Sequence, residues 1–165
     1  MDVRRSVAAV GSAAFFILAP GVVAGIVPWW LTGWRVREPL PYWAPLRVLG
    51  AALLAGGTLV LIRAFVQFVS EGAGTPAPVA PTQRLVVGGL YRYVRNPMYL
   101  AVIATIVGQG FFLGRMVLFL YAFAVGLAFS AFVRGYEEPT LSRRYGAKYE
   151  AYRREVPRWW PRFRR

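Results

Sequence analysis

Long apolar runs separated by short polar stretches make up most of the chain. Residues 7–27 carry no charge and are long enough for the roughly 20 needed to cross a bilayer. They follow Arg4 and Arg5 as a signal peptide would, but the run is too long and lacks a clean small-residue cleavage site. The pattern therefore predicts a retained transmembrane helix, bent at Pro20. Pro28, Trp29, Trp30 and Trp34 end it at an aromatic belt, and the connection through Glu38, Pro39, Pro41, Trp43 and Pro45 reads as interfacial. Residues 46–69 form a second span whose early small residues, among them Gly50, Gly56 and Gly57, predict close helix packing. Residues 97–113 and 116–133 form a third and a fourth, each near the lower length limit for spanning. With only Gly114 and Arg115 between them, these two must make a tight antiparallel hairpin.

Beyond residue 133 the chain turns polar. Leu141, Tyr145, Tyr149, Tyr152 and Val156 recur at helical spacing, while Arg143, Arg144, Lys148, Arg153 and Arg154 fall largely elsewhere around the helix. This predicts an amphipathic helix over residues 139–156 lying at the membrane surface. Pro157 stops it, and Trp159, Trp160 and Phe163 among Arg158, Arg162, Arg164 and Arg165 read as a second interfacial anchor. The expected fold class is an all-α integral membrane protein, a single membrane domain of about four transmembrane helices with one interfacial helix.

The polar stretch over residues 70–96 leads into the segment around which the chain is organised, residues 83–99. Asn96 followed by Pro97 is a helix-start signature, Asn as a side-chain cap and Pro at a first position that needs no N–H. The positive end of that helix dipole, with Arg92 and Arg95 before it, is suited to a carboxylate or phosphate. Gly88 and Gly89 permit a tight turn or a close approach to a ligand. The plainer reading of the same residues is a basic, aromatic membrane boundary that anchors a helix. Arg63 and Gln67 share a helical face near the end of the second span, where an Arg is either a functional group or one that snorkels to the headgroups.

Composition narrows the chemistry. At 57% hydrophobic residues and mean hydropathy +0.44, a water-soluble domain would have to expose much of its apolar content. The net charge of +13 lies at the edges of apolar spans, so it is a topology signal and not the footprint of a nucleic-acid partner. Without His or Cys the chain has no imidazole base and no thiol nucleophile, and it lacks the commonest metal ligands, so no metal is expected. Arg, Tyr and seven carboxylates remain. Four crossings put both termini on one side with fifteen basic residues against four, which by the positive-inside rule makes that side cytoplasmic. Residues 83–99 and 134–138 then flank the open end of the hairpin and converge on one cytoplasmic site.

That site would offer Arg and helix-dipole donors, two carboxylates, and Tyr91, Tyr93 and Tyr99 for stacking. A ligand with an amine, a carboxylate, a ribose and an aromatic base uses all of them, and S-adenosylmethionine fits, its sulfonium lying against an aromatic face. NADPH fits the same description, but the chain has no strand, Gly-rich turn and helix unit of the dinucleotide-binding kind.

On residues 74–78 (Gly-Thr-Pro-Ala-Pro), residues 85–99 and the pair Glu137-Glu138 followed by Leu141, Tyr145-Gly146, Tyr149, Tyr152 and Val156-Pro157, the chain resembles the isoprenylcysteine carboxyl methyltransferases and the related phospholipid methyltransferases. The resemblance implies a multi-helix membrane fold holding S-adenosylmethionine near the cytoplasmic face of a bacterial or archaeal membrane. The C-terminal segment would cover the cofactor and a lipophilic acceptor would enter from the bilayer. It further implies cofactor contacts from Gln83, Arg84, Leu85, Val86, Tyr91, Asn96, Pro97, Met98 and Tyr99, and from the acidic pair, Glu138 favoured over Glu137. Arg134 falls near the acceptor-binding Arg. Eukaryotic carboxyl methyltransferases usually carry His where this chain has Asn96, which counts against a prenylated protein as the acceptor.

Methyl transfer from a sulfonium needs positioning and a dry site more than a catalytic group. A carboxylate acceptor is already nucleophilic and pairs with Arg134, whereas a phospholipid amine must lose a proton, to Glu137, Glu138 or a Tyr. The residues thus favour a carboxylate acceptor without excluding the amine. A reductase of the sterol type using NADPH, and a non-catalytic scaffold gripping anionic headgroups, are the competing readings.

Overall fold

A computed structural model describes residues 19–72 and 84–162. Their regular structure is entirely helical. In chain order it comprises a π turn (Val22–Ile26) running into α1 (Val27–Thr32), α2 (Ala44–Gly72), a 3-10 turn (Gly89–Arg92), α3 (Pro97–Leu113), α4 (Val117–Phe132), a second π turn (Val133–Glu137), α5 (Glu138–Tyr145) and α6 (Ala147–Glu155). Two stretches are long and apolar enough to cross a membrane, Ala44–Phe68 and Val117–Tyr145, and Ala19–Thr32 and Pro97–Leu113 are shorter apolar helices. Leu59, Ile62, Leu120 and Phe123 are exposed, an outer surface suited to lipid chains. Residues 7–18 of the predicted first span and the residues 74–78 motif lie outside the described residues.

Helix α3 is the centre of the bundle. Its Ala101, Val102 and Ile106 pack with Leu61 of α2 and with Leu118, Ala122 and Val125 of α4. The α2–α3 contact is close because glycines face backbone. A Cβ on Gly108 would lie 2.6 Å from the Leu54 nitrogen and 2.9 Å from the Gly50 carbonyl oxygen, and one on Gly50 would strike the backbone of Gly108 and Phe112. In lipid, where apolar burial between helices gains little, this backbone approach and its dispersion contacts hold the pair together. The predicted hairpin is present: α3 ends on Gly114 in the left-handed conformation (φ 65), and α4 begins three residues later.

Prolines account for two departures from expectation and a glycine for a third. Each π turn ends two residues before a proline, Pro28 or Pro139. A helical proline has no N–H, and its ring crowds the carbonyl four residues back. Widening the preceding turn, so that the Val27 N–H meets the Val22 carbonyl and the Glu138 N–H the Val133 carbonyl, lets each helix continue. Hence the first helix does not stop at residue 27 but runs through Pro28 to Thr32, where Gly33 (φ 58) ends it. The distortion expected at Pro20 sits at the π turn ahead of Pro28. The helix expected to end at residue 133 continues through the second π turn to Tyr145. The single interfacial helix predicted over residues 139–156 is divided by Gly146 (φ 52, ψ −129) into α5 and α6.

The carbonyls that Pro28 leaves free are taken by side chains from other helices. Gln109 Nε2 of α3 donates to the Ala24 carbonyl at 2.6 Å, and the Tyr121 hydroxyl of α4 donates to the Val23 carbonyl at 2.9 Å. The last carbonyls of α3 are satisfied similarly: Phe111 by Trp43 Nε1 (2.8 Å), Phe112 by Arg47 Nε (3.3 Å) and Leu113 by the Arg37 amide (2.8 Å). Without water to satisfy them, such groups must find partners within the protein.

Gly108→Leu is expected to cost more than the ~1–3 kcal/mol of ordinary overpacking, because the obstacle is backbone. Gly56→Ala, with no atom within 4 Å of the added carbon, is expected to be neutral or stabilising by up to about 1 kcal/mol. Thermal unfolding of both variants in one detergent checks the pair.

Candidate functional site

The segment leading into α3 is shaped by α2. Gln67, one α2 turn from Arg63, accepts from the Leu90 amide at 3.1 Å and donates to Glu71 at 2.8 Å. Gly89 (φ 47) lies so close to the Gln67 amide that a Cβ there would collide with it. The Arg63 side chain is exposed. The 3-10 turn that follows buries Tyr91 against Ala64, Val86 and Phe68, its hydroxyl directed to the Ala64 carbonyl at 3.4 Å. Tyr91 and Val86 are therefore packing groups of this turn. Arg84 is exposed and Leu85 partly buried, and Gln83 lies outside the described residues.

At the start of α3, Pro97 occupies the first helical position as expected. Asn96 does not cap the helix with its side chain. Its Nδ2 donates instead to the Arg158 carbonyl at 3.1 Å. The C-terminal tail lies alongside this segment: the Arg95 amide donates to the Pro157 carbonyl (3.0 Å) and the Arg162 amide to the Tyr93 carbonyl (3.1 Å). A buried carboxylate locks the tail in place. Glu138, 8% exposed, accepts from Arg95 Nη1 (2.8 Å) and, with both oxygens, from Arg158 Nε (2.7 Å) and Nη2 (2.6 Å). Arg95 also donates to the Tyr149 hydroxyl at 3.3 Å. Tyr99, on the first turn of α3, donates to Glu137 Oε2 at 3.0 Å, and its ring lies 4.6 Å from that of Phe129 and 6.5 Å from that of Trp159. The negative charge suited to this helix start and to Arg95 is thus supplied by the chain itself, from the second π turn and the residue after it.

Residues 83–99 and 134–138 do converge, since Arg95 meets Glu138 and Tyr99 meets Glu137. Arg134 stands apart on the exposed side of the π turn, whereas Glu138 is buried. Met98 packs at the junction of the two apolar clusters. A second feature adjoins this cluster, a cavity of about 710 Å³ between the loop and the α5–α6 pair. Arg84, Leu85 and Arg92 line one side, and Lys148, Tyr152 and Glu155 the other. The Tyr152 hydroxyl, pushed well above its ordinary pKa by burial although Arg95 pulls it down, donates to the Tyr91 carbonyl at 2.6 Å and ties the two walls together. Burial, and then the Glu138 charge, raises Tyr149 as well, while its hydrogen bonds to Glu138 raise Arg158. Both tyrosines therefore stay protonated, and Arg158 stays charged, across the physiological range.

Sequence reasoning passed over Arg158, read as an interfacial anchor, and the Lys148, Tyr152 and Glu155 wall. The available signal was Val156-Pro157, which ends α6 and turns the tail back toward Asn96.

Glu138→Ala would leave Arg95, only 9% exposed, without its carboxylate, and is expected to cost about 3–5 kcal/mol. Glu150→Ala removes an exposed pair with Arg153 and is expected to cost about 0–1 kcal/mol for that pair. Unfolding of both variants, with tryptic cleavage after Arg158 accelerated only in the first, checks the clasp.

A comparison with curated proteins finds no match to the chain. The family described as phospholipid methyltransferase matches residues 45–148, from the start of α2 into α6, and so takes in the loop, the Tyr99–Glu137 contact and the Arg95–Glu138 pair. With well over half of its length matched, the chain belongs to the phospholipid methyltransferase family.

Proposed function

We propose that the protein transfers a methyl group from S-adenosylmethionine to a lipophilic acceptor at the cytoplasmic edge of a bacterial or archaeal membrane. The observation that carries this reading is the junction of two distant segments, Tyr99 with Glu137 and Arg95 with Glu138, inside the stretch matched by the family. The neighbouring residues fit the cofactor. The cavity of about 710 Å³ lies within the ~300–1,000 Å³ usual for small-molecule sites, and it combines cations, a carboxylate and an aromatic ring. Arg84, Arg92 and Lys148 are suited to a carboxylate, Glu155 to an amine or ribose hydroxyls, and Tyr152 to a base. Gln83, Arg84, Leu85, Val86, Tyr91, Asn96, Pro97, Met98, Tyr99, Glu137 and Glu138 form the proposed cofactor set. Of these, Val86, Tyr91 and Glu138 act by holding the walls in place. When bound, the cofactor supplies an electrophilic methyl carbon.

For the acceptor we propose a lipid carboxylate, oriented by the exposed Arg134 through a charge-assisted hydrogen bond. The second reading, a phospholipid amine, is favoured by one contact: Glu137, bonded to the Tyr99 hydroxyl, is a carboxylate placed to take a proton. Transfer of labelled methyl to a long-chain fatty acid and to phosphatidylethanolamine, in matched vesicles, separates them. Under the carboxylate reading the acid is labelled and Arg134→Ala raises its KM roughly tenfold or more, the worth of a hydrogen bond to a charged group. Under the amine reading only phosphatidylethanolamine is labelled and Glu137→Gln removes the activity. Labelling of neither, over a range of lipid acids and amines, would overturn the proposal.

A further inference from the structure

Glu38 pairs with Arg47, Glu150 with Arg153, and Glu138 with both Arg95 and Arg158. Glu137 makes no ion pair with any described residue, although cations abound in the chain. Its Oε2 accepts from the Tyr99 hydroxyl at 3.0 Å. Its other oxygen, Oε1, has no hydrogen-bond partner among the described residues and is not sealed from the surface, so an incoming cation can reach it. The residue is only partly exposed, so water compensates its charge less fully than at an open surface, and a cation held there gains correspondingly more.

The surroundings of this carboxylate are aromatic. The Tyr99 ring lies 4.6 Å from Phe129 at 39° and 6.5 Å from Trp159 at 56°. All three rings, like Glu137, are partly exposed and therefore accessible from outside the fold. The other tyrosines of the segment are engaged elsewhere: Tyr91 is buried in packing, and the Arg92 guanidinium lies 4.8 Å from the centre of the Tyr93 ring. Among the described residues no guanidinium covers Tyr99, Phe129 or Trp159. A metal ion needs several ligands and finds no suitable group of them among the described residues. A primary ammonium has three N–H donors to satisfy, and one carboxylate satisfies only part of that demand. An onium ion, its charge spread over methyl groups, has no such demand, and aromatic faces with one carboxylate can replace its hydration.

We infer that Tyr99, Phe129 and Trp159 with Glu137 form a site for a methylated onium ion, Phe129 and Trp159 being positioning residues outside the proposed cofactor set. Two sources carry that chemistry, the sulfonium of S-adenosylmethionine and the methylated ammonium of a lipid headgroup, and only the first rests on the proposed reaction. Choline and neohexyl alcohol, its neutral isostere with carbon in place of nitrogen, are the probes. Saturation-transfer NMR reads their methyl protons against the full chain in maltoside micelles. Choline is expected to bind saturably and roughly tenfold more tightly than the alcohol. Trp159→Leu and Glu137→Gln bring the two probes close to equality, whereas Trp159→Phe, which keeps a ring, retains most of the preference. Should Trp159→Leu release the tail and unfold, the near-isosteric Glu137→Gln and the two probes on the wild type decide the matter. Displacement of choline by S-adenosylmethionine and not by the uncharged S-adenosylhomocysteine assigns the site to the sulfonium. Displacement by dihexanoylphosphatidylcholine alone assigns it to a headgroup, and the site then stands even if the proposed reaction fails. No saturable choline binding, equal binding of the two probes to the wild type, or a preference unchanged in both Trp159→Leu and Glu137→Gln would overturn the inference.

Discussion

A carboxylate buried between two guanidiniums ties three parts of this chain together. Glu138 belongs to the start of α5, Arg95 to the approach to α3, and Arg158 to the tail. Removing three charges from water is costly, and the attraction between them offsets that cost only where hydrogen-bond geometry is good and every oxygen is used. Glu138 meets that condition, with bidentate bonds to Arg158 and a third to Arg95. The tail is consequently drawn over the start of α3, and Trp159 is brought beside Tyr99. The interaction's main effect is on arrangement: it closes one side of the candidate site and leaves Glu137, one residue earlier, bonded among the described residues to the Tyr99 hydroxyl.

The bundle beneath makes that placement reproducible. Gly50 and Gly108 let α2 and α3 meet backbone to backbone, so Gln67 at the far end of α2 reaches Gly89 and sets the turn that delivers Arg95. Pro139 forces the π turn before it, and that turn carries Arg134 and Glu137. The turn leaves Arg134 exposed while Glu138 is buried, so an accessible cation and a buried anion arise within five residues. The proposed reaction, between a lipophilic acceptor and a polar cofactor, would use such a division.

Much of this was legible in the sequence because apolar run length and turn chemistry are local. The α3–α4 hairpin follows from Gly114 and Arg115 standing alone between two apolar runs, and the convergence of Tyr99 and Glu137 follows from folding that hairpin. Asn96 shows where local reasoning stops. As a helix cap it is the common choice, but the nearby Arg158 carbonyl, sixty-two residues away in sequence, competes for its amide and takes it. Pro28 and Pro139 mislead for the opposite reason. Read locally, Pro28 ends the first span and the polar turn beyond residue 133 ends the fourth, yet one widened turn carries each helix past its proline, and at Pro28 partners on α3 and α4 take up the carbonyls set free. The role of Gln109 could not be read from its neighbours in sequence, because its partner is eighty-five residues away.

Calorimetric titration of the purified protein in lipid-containing micelles tests whether the cavity and the start of α3 together hold S-adenosylmethionine, as proposed. One saturable site for S-adenosylmethionine is expected, weakened roughly tenfold or more in Tyr99→Phe, with no heat from NADPH under the same conditions. Absence of S-adenosylmethionine binding across several lipid environments, or binding of NADPH in its place, would contradict it and leave the family relationship as one of fold.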